Sequence, residues 1–268
     1  MLTRDADKEW EKFGSKDPYF GVISHDKFRK GNLTDASMAE FLKSGHEHVG
    51  YVMDTIRAHV HRGFSPNRVL DFGCGVGRCL IPLARISKAV VGLDVSESML
   101  EEARRNCRAQ QVANAELAQS DDLLSGVRGT FDLIHSVFVF QNVPRKRGMT
   151  IFRRLTELLS EDGIGAIQFL FEREVSSIVK GLGILRKRVP LVHGLANLFY
   201  GRPLSEPLME KNVYDLNAVI AILARAGCGN LHVSLFKEDV HQYCMLFFQK
   251  TRDRVPHEAL ARNSRVAT

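Results

Sequence analysis

Three glycines alternate in the segment Val69–Arg78, VLDFGCGVGR, at Gly73, Gly75 and Gly77, and an acid, Asp71, precedes them. Glycine lets the backbone turn sharply and lets a ligand lie against the main chain. With a strand before the turn and a helix after it, the free N–H groups of the helix start would suit an anionic part of a ligand. Farther on, VVGLDVS places Asp94 at the end of a second apolar run. A carboxylate there can accept from both hydroxyls of a ribose lying across the two strand ends. The dinucleotide fingerprint G-x-G-x-x-G is not met, because the sixth position counted from Gly73 is Arg78. That departure weighs against an NAD-linked oxidoreductase, which stands as an alternative reading.

Residues able to move a proton lie outside this motif. Glu172 and Glu174 follow an apolar run, His193 sits in a basic, proline-bearing stretch, and Tyr19 belongs to an aromatic island, DPYFGV. Glu172, His193 and Tyr19 are the candidate general bases for a hydroxyl nucleophile. Glu172 is the first choice, at the mouth of its strand and half-buried by a cover; His193 is the second. His135 falls within a strand and reads as a core histidine. Cys74, Cys79, Cys107, Cys228 and Cys244 show no C-x-x-C spacing, so neither a disulfide framework nor a metal site is expected.

Positioning these residues requires alternating strands and helices. Val49, Val52, Met53, Ile56 and Val60 form an apolar stripe that predicts a helix over 38–61. Strands are predicted at 68–72, 89–93, 115–118, 131–137 and 165–171. Helices are predicted at 76–86, 96–112 and 150–159, with a tight turn at 161–163. Short apolar strands separated by helices imply right-handed crossovers and a mostly parallel sheet covered on both faces. Residues 172–212 break this rhythm and read as an inserted lid holding a short helix or two. A helix over 215–226 leads into strands at 231–236 and 241–249. Only Lys237–Val240 separates those strands, so they form a hairpin with one antiparallel member. The expected organisation is an N-terminal helical cap over 1–62, a main domain over 63–250 with the insertion 172–212, and a polar tail over 251–268.

On these residues the chain resembles the class I S-adenosylmethionine (SAM)-dependent methyltransferases. VLDFGCGVGR is similar to their first motif and VVGLDVS to their second-strand acidic motif. Residues 119–122 (QSDD) match their adenine-contacting acid, and FDLIHSVFVFQNVP resembles their fourth strand and the loop after it. The resemblance covers about 50–172 and 213–249. It implies an α/β, Rossmann-like doubly wound sheet of order 3-2-1-4-5-7-6, with strand 7 antiparallel. It implies SAM as cofactor. Asp71 and the backbones of Gly73 and Gly75 would face its amino acid part, and Asp94 its ribose. Val95 and Met99 would flank the adenine, Asp121 would meet its amine with Asp122 nearby, and the Ser136 backbone would lie near the methionyl amine.

The family's Asn-Pro-Pro-aromatic signature of amine methylation is absent after the fourth strand, which tilts the expected acceptor toward a hydroxyl of a small molecule or saccharide. The remaining alternative is a non-catalytic SAM-binding protein acting through partners. The 268 residues carry 37 Lys+Arg against 31 Asp+Glu, a formal charge of +6. There is no basic stripe interleaved with aromatics, so no nucleic-acid partner is expected. The insertion mixes apolar residues with Lys180, Arg186, Lys187 and Arg188, which leaves a peripheral membrane or lipid-linked substrate as a secondary reading. Neither a signal-type apolar run nor a spanning run of about 18 apolar residues occurs, so the cytoplasm is the expected compartment.

Overall fold

The apolar runs RVLDF, AVVGLD and FDLIHS are β-branched, leucine-rich and buried on both faces, as central parallel strands must be. In the computed structural model, which describes residues 5–175, 190–199 and 202–251, they form the middle of a seven-stranded sheet. The strands are β1 (Arg68–Phe72), β2 (Ala89–Asp94), β3 (Ala115–Gln119), β4 (Phe131–Ser136), β5 (Leu159–Arg173), β6 (Cys228–Glu238) and β7 (His241–Lys250). Their order is β3-β2-β1-β4-β5-β7-β6, as the resemblance implied. β1 to β5 run parallel, and β7 lies antiparallel between β5 and β6.

The helices are α1 (Ala6–Lys16), α2 (Pro18–Val22), α3 (Asp35–His59), α4 (Leu80–Arg85), α5 (Glu97–Ala109), α6 (Arg145–Leu158), α7 (Pro190–Phe199) and α8 (Leu216–Arg225). On one sheet face, Leu70, Phe72, Ile134 and Phe169 pack with Phe152 of α6, Tyr214 and Val219 of α8. On the other, Val69, Leu133, Ile164 and Phe247 pack with Val49, Val52 and Ile56 of α3 and Leu80 of α4. A third core gathers Phe13, Tyr19, Phe20, Phe28 and Phe41 with Met99 of α5, which seats the N-terminal segment beside the ends of β1 and β2. Among the described residues, no helix is long and apolar enough to cross a membrane.

Three local expectations are corrected. The helix predicted from Val76 starts at Leu80, because Gly73, Gly75 and Gly77 have φ of 73°, 53° and 90° and right-handed helix cannot begin until they are passed. The predicted turn at Glu161–Gly163 lies within β5 instead. Asp162 takes φ of 62°, and the register against β4 shifts near Phe131, so the turn residues make a strand irregularity rather than a strand start. Helix α6 begins five residues before its expected start, at Arg145 behind Pro144. The N-terminal segment, expected as a helical cap, holds α1, capped by the Asp5 side chain accepting from the Asp7 N–H. The basic residues Lys180 and Arg186–Arg188 and most of the tail lie outside the described residues.

Candidate active site

At the carboxyl ends of β1, β2 and β4 the backbone diverges into a cleft of about 790 Å³, counting its open mouth. Its floor is Phe72, Gly73 and Gly75, and its β2 side is Asp94, Val95 and Met99. Asp121 lines it after β3, Val137–Val139 after β4, and Trp10 and Val22 from the N-terminal helices.

The floor has no room for side chains. A Cβ on Gly73 would stand 2.2 Å from Val139 Cγ2, and one on Gly75 2.8 Å from Val22 Cγ2. The Gly75 N–H donates to Asp94 Oδ2 at 2.9 Å, and the Ser96 N–H donates to Oδ1 at 3.0 Å. Asp94 keeps part of its surface open to the cleft while protein surrounds the rest. Burial pushes its carboxyl up to about 6, against the pull of those two N–H groups. Ser96, the N-cap of α5, accepts from the Met99 N–H and donates to Glu11 of α1.

Of the expected cofactor residues, Gly73, Gly75, Asp94, Val95, Met99 and Asp121 line this one cleft. Three do not. Asp71 follows the alternation of β1 and turns, like Val69, to the α3 face, where its Oδ1 lies 2.7 Å from His135 Nδ1. Asp122 is drawn into an ion pair with Arg147 Nε. Ser136 is fully buried and donates its hydroxyl to the Phe72 carbonyl at 2.9 Å. Asp121 itself caps its own turn, accepting from the Leu123 and Ser125 N–H groups, and its bonds to Ser125 hold its carboxyl below the usual range.

The candidate bases are not at the cleft. Tyr19 is buried, its hydroxyl donating to Glu102 Oε1 at 2.6 Å, and burial beside that carboxylate raises its pKa. Glu172 is exposed rather than half-buried, opposite Gln242 of β7. His193 is buried in α7, with Nε2 2.9 Å from the Glu206 carbonyl. Each is placed by packing or strand register away from the lining residues.

Sequence reasoning missed what the other elements contribute. Phe138, on the cleft wall, has φ of 62°, a strained setting for an aromatic residue, held by its N–H donating to Gln168 Oε1 at 2.6 Å. Asn142 lines the same wall; its Nδ2 donates to the Phe138 carbonyl at 2.7 Å, while its buried Oδ1 has no partner. Arg147 grips Asp7 of α1 through both Nη atoms, at 2.5 and 2.8 Å, and so ties α1 to α6 across the cleft rim. Only the strand-end position of 138–142 was a signal in the sequence; the Arg147 clasp had none.

The family model for a methyltransferase domain matches residues 69–163. The ubiquinone biosynthesis O-methyltransferase of Chelativorans sp. (strain BNC1) is 28% identical over 143 residues, 51% of this chain and 53% of that protein. The ribosomal protein L11 methyltransferase of Thermotoga maritima is 42% identical over 71 residues, 26% of each chain. The chain thus spans about half the length, or less, of the curated relatives it matches. Magnesium protoporphyrin IX methyltransferase from Synechocystis PCC 6803, with bound SAH (S-adenosylhomocysteine), superposes with a TM-score of 0.59 at 19% identity, covering 92% of this chain and 100% of that one. The N-methyltransferase NodS of Bradyrhizobium japonicum, also with SAH, gives 0.55 at 14% identity, covering 92% and 99%. The domain match shows a methyltransferase domain over residues 69–163, and the strand order and superposed structures show the fold of the class I SAM-dependent methyltransferases, whose cofactor is SAM.

Proposed function

We propose that this enzyme binds SAM across the ends of β1 and β2 and transfers a methyl group to a hydroxyl of a small, largely apolar acceptor. One observation carries the binding half: Asp94, an acceptor-only group when ionised, faces a cleft whose glycine floor a single Cβ would block. A nucleoside with a free diol fits that pairing. Met99 and Val95 offer apolar surface beside it, and Asp121 an acceptor at the far rim. The Asp71 carboxylate is committed to His135 and has no part in this pairing.

SAM supplies a methyl group on a positively charged sulfur, so the chemistry asks the protein mainly for alignment and exclusion of water. Trp10, Val22, Phe138 and Val139 supply apolar walls, which suit a ring-bearing acceptor better than a saccharide. Asn142 lines the same space, where its amide holds the Phe138 carbonyl and shapes the wall the acceptor meets. No carboxylate, imidazole or phenol among the three candidate bases lines the cleft, so positioning carries the rate in this account. A relative named an O-methyltransferase of ubiquinone biosynthesis agrees with the hydroxyl assignment.

The test is a panel of phenols, amines and monosaccharides incubated with labelled SAM, with the site of methylation read by mass spectrometry. The expected product is a methyl ether of a phenolic hydroxyl. Asn142→Ala should raise KM for the acceptor while SAH affinity stays as in the parent. Label on nitrogen, or on sugar hydroxyls alone, would overturn the acceptor assignment.

A further inference from the structure

Beneath the glycine turn, on the sheet face away from the cleft, three metal-ligating side chains converge that the proposed reaction does not use. His48 comes from α3, Cys79 from the residue just before α4, and His135 from β4. Their ligand atoms all lie within 4.8 Å of one another. Cys79 and His135 are buried, and His48 is part-buried. The backbone is shaped for this approach. Gly45, one turn before His48, brings α3 so close that a Cβ there would stand 2.0 Å from the Arg78 carbonyl oxygen.

We infer that His48, Cys79 and His135 form a site for a borderline-soft divalent metal ion of the zinc class. The arrangement of protons points that way. Asp71 sits beside His135 in the parallel register of β1 and β4, and its Oδ1 lies 2.7 Å from His135 Nδ1. A proton on Nδ1 donated to that carboxylate leaves the lone pair on Nε2. Histidine ligands of zinc show the same carboxylate–histidine arrangement, which fixes the tautomer and aims the free nitrogen. That nitrogen is 3.0 Å from Nε2 of His48. Two imidazole lone pairs at this distance repel unless a proton or a cation lies between them. Tetrahedral coordination with the usual zinc–nitrogen and zinc–sulfur lengths sets ligand pairs about 3.3 to 3.6 Å apart, so Cys79 has to swing inward by on the order of 1 Å.

Charge supports the cation. The second oxygen of Asp71 is buried and has no hydrogen-bond partner. A divalent ion held by two neutral imidazoles and the Cys79 thiolate, with Asp71 behind His135, is neutral as a set. The Cys79 thiol proton leaves to solvent as the metal binds, as coordinating thiols require. The opposing charge is Arg78, whose Nη1 donates to the Ser44 carbonyl at 3.3 Å. Filled, the site would pin α3 and the end of the glycine turn to β4.

Cobalt(II) is the probe, because a thiolate ligand gives it a charge-transfer band in the near ultraviolet. The full chain, free of any polyhistidine tag and stripped with a chelator, is titrated with cobalt and then with zinc. One equivalent per chain should bring up the thiolate band, and zinc should abolish it. Cys79→Ser and His48→Gln should each lose the band and weaken binding by at least about 100-fold, since loss of an outer-sphere partner alone costs about 10- to 100-fold. Cys107→Ala, and His59→Gln in the stacked His59–His232 pair, should keep it. No thiolate band at stoichiometric cobalt, or a band that survives either ligand substitution, would overturn the site and leave a proton shared along His48, His135 and Asp71. If Cys79→Ser fails to fold, His48→Gln on the outer helix decides.

Discussion

Asp94 is the residue on which the cofactor reading turns, and its environment makes a measurable demand. Burial raises its carboxyl to about 6, so the ionised form is the costly one in the folded chain above that pH, and the cost disappears as pH falls and the group is protonated. A ribose diol needs the ionised form as its acceptor. SAH affinity should therefore be full above about pH 7 and lower by about tenfold at pH 5, where a group of this pKa is about one-tenth ionised. Calorimetric titration across that range checks it; a flat profile would contradict the assignment. Asp94 and the glycines could be read in the sequence because short-range spacing fixes them: a strand end, a turn, a strand end. Asp71 could be misread because the same motif says nothing of which face a strand residue takes; alternation along β1 sends it to the α3 side. Asn142 is marked only by its place after a strand end, Arg147 carries no local pattern at all, and the trio His48, Cys79 and His135 joins residues far apart in the chain that only the folded sheet brings together.

Among the elements, the strands and the long helix α3 could be read because apolar periodicity is strong where an element is buried on one or both faces. The starts of α4 and α6 could not be read as well, because backbone conformation at Gly77 and Pro144 decides them, not the apolar pattern. Helix α1 is polar on most of its surface, and tertiary partners hold it. Arg147 grips Asp7, Glu9 Oε2 accepts from the Leu208 N–H at 2.9 Å, and Glu11 meets Ser96 and Ser98. These ties make α1 a cover for the cleft that polar contacts hold in place. A partly buried bidentate pair of this kind is worth about 1 kcal/mol. Arg147→Ala should then speed amide exchange over residues 6–16 by about fivefold, while the central strands exchange as before. Hydrogen-exchange mass spectrometry reads both, and unchanged exchange in α1 would show that the clasp does not hold the cover.

Across the whole molecule, the parallel βαβ rhythm and a final hairpin too short for a crossover are visible in the chain, while the strand order comes from the family resemblance. That topology brings the ends of β1, β2 and β4 together and opens the cleft on one side of the sheet. The acceptor was less legible because segments far from the glycine motif supply its walls: Trp10 from α1, Val22 from α2, and the loop after β4. In the proposed function the cofactor lies in this cleft with its ribose on Asp94. Isothermal titration of SAH into the parent chain and into Asp94→Ala tests it most directly. Two hydrogen bonds to a charged acceptor, at about 1.5 to 3 kcal/mol each, are removed in the variant, so affinity should fall at least about tenfold with melting behaviour retained. Equal affinity in a folded Asp94→Ala chain would contradict it.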